Sequence, residues 1–179
     1  MQPPSPVPPD SVPTVRLSRG WIIAFAAALA LHVAAGLVGW HDQGFAGHEF
    51  RQAQTAISTY YIAVDHNYGL AYPTPVLGKP WSIPMEFPLY EWTVARLSTW
   101  FHWPLVETGR GVSRAAFYLT LPAWYLLLGA AGLDPRRRIV ALLVVLASPL
   151  YIFYSRAFLI ESTALLLASW HAWCVVRAT

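Results

Sequence analysis

The chain alternates between apolar runs and polar breaks. The first run, "WIIAFAAALALHVAAGLVGW", extends from Trp21 to Trp40, carries no charge and has a tryptophan at each end. Twenty helical residues at about 1.5 Å each cover about 30 Å, the thickness of the hydrocarbon layer of a bilayer. Arg16 and Arg19 precede it. A secretory signal peptide has a similar charged flank and Ala-rich core, but the run is long for one, so the sequence predicts an uncleaved anchor. From His41 to about residue 84 the chain is polar and rich in turn formers, with room for one short helix at 48–64. Residues 88–103, "PLYEWTVARLSTWFHW", are too short for a span and are interrupted by Glu91, Arg96 and His102. On a helical wheel Glu91, Ala95, Ser98 and His102 form one stripe, with most aromatic and aliphatic side chains opposite. That pattern predicts an amphipathic helix at the membrane interface, with Glu91 on its solvated face.

Three apolar segments follow, at 112–133, 138–154 and 159–176, and Pro122 and Pro149 are expected to kink the first two. "DPRRR", 134–138, separates those two, and its arginines belong on the cytoplasmic side together with Arg16 and Arg19. Residues 41–110 then lie outside. The expected fold is an all-α polytopic membrane protein with about four transmembrane helices, at 21–40, 112–133, 138–154 and 159–176. Residues 1–15, Pro-rich, are expected to be disordered, and 16–179 to form one membrane domain whose outer loop, 41–110, holds the interfacial helix.

Composition agrees with a membrane setting. Of 179 residues 56% are hydrophobic and only 12% charged, where soluble domains carry about 25%. The net charge of +3 comes from clustered basic residues, and no basic stripe supports nucleic-acid binding. The single cysteine, Cys174, reads as a small core residue. His32 and His171 sit in apolar runs and read as packed against other helices. Zinc, nucleotide-loop and serine-hydrolase motifs are absent.

This topology gathers three acids on the outer face: Glu49 in "GHEFRQAQTA", Glu86 in "IPMEFPLYEW" and Glu161 in "YSRAFLIEST". Carboxylates there could act as general base or hold a divalent cation. Arg51 and Arg156 could meet a phosphate or neutralise the acids. The plainer readings are a solvated helix start for Glu49 and Arg51 and an interfacial salt bridge for Arg156 and Glu161.

Three stretches carry a resemblance: "HEFRQAQTAISTYY", "EFPLYEW" and "SPLYIFYSRAFLIE". Together they resemble the N-terminal part of GT-C superfamily integral membrane glycosyltransferases. The nearest group is family 39-like, which includes protein O-mannosyltransferases, lipid A aminoarabinose transferases and RgtA/B/C/D-like domain proteins. The resemblance covers about residues 16–176. It implies a truncated GT-C-like core in the bacterial inner membrane, N-terminus cytoplasmic. Such enzymes pass a sugar from a polyprenyl-phosphate donor to a lipid, glycan or protein acceptor at the outer face. By that resemblance Glu49 is the catalytic base, with Asp42 as a substitute. Arg51, Gln52, Glu86, Arg156 and Glu161 contact substrate, and Glu86 and Glu161 are the candidate ligands if a divalent cation takes part. The family usually has an Asp-Glu-like pair where His48 and Glu49 stand here, and its chains continue through further spans. The resemblance therefore implies an N-terminal part, or a short relative that needs a partner chain. The alternative is a non-catalytic membrane protein or assembly subunit derived from the same fold.

Overall fold

The computed structural model describes residues 17–42, 44–74 and 86–178. The expected disorder at 1–15 falls outside these residues. Among them the chain forms seven helices and no strand: α1 Arg19–Leu37, α2 Glu49–Asp65, α3 Leu89–Phe101, α4 Leu105–Ala130, α5 Pro135–Ala147, α6 Pro149–Tyr154 and α7 Glu161–Ala178.

Helix α1 is long and apolar enough to cross a membrane. It is apolar on every side, and only His32 and Gly36 are buried by the rest of the chain, as suits a helix whose surroundings are hydrocarbon. His32 is packed as its sequence setting suggested: its ring stacks on Phe117 and its Nδ1 lies 3.0 Å from the Tyr118 hydroxyl.

The expectation of about four transmembrane helices, a truncated GT-C-like core, is corrected: among the described residues α1 is the one helix that qualifies as a span. Each of the other three apolar segments fails for a visible reason. Segment 112–133 is the C-terminal part of α4, which starts seven residues earlier and whose first half carries Glu107, Arg110 and Arg114. Segment 138–154 is cut at Ser148, where Pro149 opens a new helix. The 13 residues of α5 reach only about 20 Å at 1.5 Å per residue. Segment 159–176 is α7, diluted by Glu161, His171 and Arg177. Cys174 and His171, expected inside, are exposed on α7.

Helix α4 is the axis of the fold. Helix α7 packs along it, α3 and α5 also lie against it, and α1 packs on α5 and α6. One core joins Phe117 and Leu121 of α4 to Leu142 and Leu146 of α5, with Phe25, Ala28 and Leu29 of α1 packed against them. A second joins Ala56 of α2, Tyr90 and Val94 of α3, and Phe158. Asp134 caps α5 by accepting from the backbone N–H groups of Arg136 and Arg137, with Pro135 at the first helical position.

Helix α3 exists where the pattern placed it, but its polar stripe does not face solvent. Glu91 and Ala95, from that stripe, are fully buried beside Tyr90 and Val94, whereas Trp100, Phe101 and Trp103 at the far end are exposed. The solvated-face reading of Glu91 is thus corrected: α3 packs on α2 with Tyr90 and Val94 against Ala56 and with Ala95 against Ile62.

Two glycines in α4 make a test of the packing. A methyl on Gly109 would overlap the Phe158 ring, whereas one on Gly111 meets nothing within 4 Å. Gly109→Ala is expected to cost about 1–3 kcal/mol by overpacking. Gly111→Ala is expected to be neutral or to stabilise by up to about 1 kcal/mol through helix propensity. Thermal unfolding of both variants checks the contrast.

Candidate functional site

Two polar clusters stand out, one acidic and one cationic. The acidic one lies between α2 and α3. Arg51, on the second turn-facing side of α2, forms an ion pair with Glu86 and also reaches Gln54 at 3.4 Å. The backbone of Glu86 is held by Tyr72, whose hydroxyl donates to the Glu86 carbonyl at 3.1 Å. Glu91, five residues on, is 1% exposed, and its Oε2 has no hydrogen-bond partner. Burial pushes the Glu91 carboxyl up to about 8, and the neighbouring Glu86 carboxylate adds to the shift. Glu91 is therefore held largely protonated at neutral pH.

The cationic cluster lies at the C-terminal end of α1. Helix ends leave carbonyls without intrahelical partners; Arg114 and Arg156 take up two at this end, and Arg110 holds the loop that follows. Arg114 donates to the Gly36 carbonyl and lies 4.8 Å over the Trp40 ring. Arg156 donates to the Val38 carbonyl. Arg110 donates to the carbonyls of Gly39 at 3.1 Å, Trp40 at 2.6 Å and Gly44 at 2.9 Å. Arg110 and Arg156 line one small polar pocket with Asp42 and Gln52. Burial first, and then the like charge of Arg156, hold the Arg110 pKa below the usual arginine value; Asp42 and Glu107 oppose this. Cations that repel each other in a half-buried pocket are stabilised by an added anion.

The residues expected to form one site are distributed over four places. Arg51 and Glu86 meet each other in the acidic cluster. Gln52 and Arg156 meet in the cationic pocket. There Gln52 also ties the loop to the core: it donates to the Gly47 carbonyl at 2.6 Å and accepts from the Phe158 N–H at 2.9 Å. Glu49 stands exposed in the first turn of α2, its carboxylate accepting from the Gly47 N–H at 3.0 Å. Backbone N–H groups of Glu49 and Gly47 lower its pKa. Glu161 opens α7 and lines a separate cavity of about 210 Å³ with Tyr154 and Ser162. On α2 Gln52 and Ala56 are buried and Glu49 is not.

Sequence reading missed Glu91, Arg110 and Arg114. The one signal for the two arginines is their i, i+4 spacing in "RGVSR", which places both on one side of α4. Among the described residues no three His, Cys, Asp or Glu side chains gather as a metal site. Glu86 pairs with Arg51, and Glu161 lines a different cavity. No family model matches the chain, and neither a curated protein nor a solved structure matches it.

The buried acid gives a pH signature. A carboxyl whose folded pKa lies above its unfolded value contributes stability that is present below the unfolded pKa and is lost as pH rises through the folded one. Stability should therefore fall between about 4.5 and about 8 and level off above. Glu91→Gln is expected to flatten that slope and to raise the melting temperature at pH 8. Thermal unfolding at pH 5, 6.5 and 8 measures both, and an unchanged slope in the variant would reject the assignment.

Proposed function

We propose that the chain acts in a bacterial inner membrane as a glycosyltransferase, or as the N-terminal part of one. It moves a sugar from a polyprenyl-phosphate donor to a lipid, glycan or protein acceptor at the outer face. The observation that carries this reading is the pocket of Arg110, Arg156, Asp42 and Gln52, built around the end of the one described helix able to cross a bilayer. A phosphate on a membrane-embedded tail sits at that level. The resemblance of "HEFRQAQTAISTYY", "EFPLYEW" and "SPLYIFYSRAFLIE" to GT-C glycosyltransferases supports the same reading. Arg16 and Arg19 ahead of α1 favour a cytoplasmic N-terminus, with the pocket then on the outer side.

In this mechanism the acceptor hydroxyl oxygen attacks the anomeric carbon. The bond from that carbon to the phosphate oxygen breaks, and its electron pair leaves with the polyprenyl phosphate. Arg156 and Arg110 meet the charge that grows on the phosphate. A carboxylate takes the acceptor proton. Asp42 lines the pocket with both arginines, whereas Glu49 stands exposed outside it, so the role of base goes to Asp42. Arg51 and Glu86 hold α2 to the start of α3.

One observation favours a second reading. Arg110 already donates to three carbonyls, as it would in a non-catalytic membrane subunit where the arginines serve only to close the end of α1.

Vesicles carrying the chain and a radiolabelled polyprenyl-phosphate sugar separate the two readings. Transfer is expected, lowered at least about tenfold in Arg156→Gln and about 10²–10⁴-fold in Asp42→Asn, the usual scale for loss of a general base. Glu49→Gln should keep most of it. Full activity in Asp42→Asn would remove Asp42 from the mechanism, and no transfer by the wild-type chain would leave the subunit reading standing.

A further inference from the structure

An apolar groove of about 590 Å³ runs along α1, between it and helices α4 and α5, within the usual size range of ligand sites. Phe25, Leu29 and Val33 of α1 line one side, each about one turn from the last, and Leu121 and Tyr125 of α4 and Ile139 of α5 line the other. Phe25 to Val33 covers about 12 Å at 1.5 Å per residue. The helix that carries this side is the one described helix able to cross a bilayer, so the groove lies within reach of hydrocarbon. It shares no lining residue with the pocket of Arg110 and Arg156.

One end of the groove is cationic. The Arg138 guanidinium lies 5.2 Å from the ring centre of Tyr125, itself a lining residue. The Arg136 guanidinium lies 5.1 Å from that of Trp21, one turn before Phe25. Arg138 is held in place: its Nε donates to the Leu133 carbonyl at 2.7 Å, and a methyl on Gly129 would come within 2.6 Å of its Nη1. Gly129 thus leaves the room that this guanidinium takes. Arg136 and Arg137 are exposed, and so is Arg19, in the same first turn of α1 as Trp21. The acid of this region is Asp134, which caps α5 and pairs with Arg137 at 3.1 Å. Among the described residues no carboxylate pairs with Arg136 or Arg138. Arginines and aromatic rings together at the end of a spanning helix mark the level of lipid headgroups.

We propose that the groove holds an acyl chain of an anionic phospholipid whose phosphodiester sits on Arg136 and Arg138. The apolar walls take the hydrocarbon, and two guanidiniums supply charge-assisted donors to the phosphate oxygens. Arginines in excess over carboxylates select a lipid of net negative charge. A zwitterionic lipid is a poorer occupant, because its own ammonium would meet the same cations. The cationic end lies at the start of α1, whereas the pocket of Arg110 and Arg156 is built around its far end, at Gly36 to Gly44. This phosphate and the donor phosphate proposed above therefore belong to opposite ends of the same helix. The phospholipid is bound and not consumed, so the proposal is independent of the transfer reaction and holds equally for a non-catalytic chain.

The test is native mass spectrometry of the full chain released from detergent micelles. Phosphatidylglycerol and phosphatidylcholine with the same acyl chains are added in equal amounts. Each arginine at headgroup level is worth a factor of about five, so phosphatidylglycerol should be retained at least about tenfold over phosphatidylcholine. Arg136→Gln should cut that preference about fivefold, Arg136→Gln with Arg138→Gln should bring it close to one, and Arg136→Lys should keep most of it. The two single variants at Arg136 carry the test should the double variant fail to fold. Val33→Phe, which puts a ring into the groove, should lower retention of both lipids. Equal retention of the two lipids by the wild type would overturn the proposal, as would a preference untouched by the Arg136 variants. A preference abolished by Arg156→Gln instead would assign the lipid to the other end of α1 and overturn it. Retention unchanged in Val33→Phe would take the acyl chain out of the groove, and a lipid-free dimer would assign the groove to a second copy of the chain; either result rejects the proposal.

Discussion

The end of α1 is the constraint on which the rest of the fold depends. Where the helix leaves its apolar surroundings, its last carbonyls have no partner within the helix, and the partial negative charge of the helix terminus collects there. The chain meets this with Arg114 from α4 and Arg156 from the segment before α7, and Arg110 holds the loop that follows. These contacts fix α4 against α1 and bring the 155–160 segment to the same place. Gln52 then hooks the loop ahead of α2 to that segment through Phe158. The pocket and the position of α2 both follow from one set of unsatisfied carbonyls.

The pairing of α2 with α3 obeys a different rule. Here the buried contact is polar at its centre, with Arg51 and Glu86 joined and Glu91 beneath them. Burial keeps Glu91 protonated beneath that ion pair. Tyr90 and Val94 are buried beside it, and the exposed aromatics, Trp100 and Phe101, stand at the far end of α3.

Local signals in the sequence were readable, and long-range ones were not. The Trp-bounded run of α1, the start of α2 at Glu49, and the Asp134–Pro135 opening of α5 are all local patterns, and the structure has them. An apolar run of 17–22 residues, by contrast, reads the same whether it crosses lipid or packs on α4, and the three later segments were misjudged on that account. A helical wheel separates two faces of α3 without saying which one turns inward. In the fold that choice goes with Tyr90 and Val94, which pack on Ala56, 34 residues before Tyr90, and on Phe158. Asp42, Gln52 and Arg156 were legible as candidates, but Arg110, 46 residues from Arg156, joins them only through the fold. The chemistry of the site was thus visible one residue at a time, and the grouping was not.

The arginine contacts also carry an implication for the order of events during synthesis. Val38 receives its hydrogen bond from Arg156, 118 residues later in the chain. At about 5–20 residues per second, a ribosome needs roughly 6–24 s to supply that partner once Val38 has been made. Over that interval the C-terminal carbonyls of α1 have to be met by other donors, such as water, until α4 and the segment after α6 arrive to replace them.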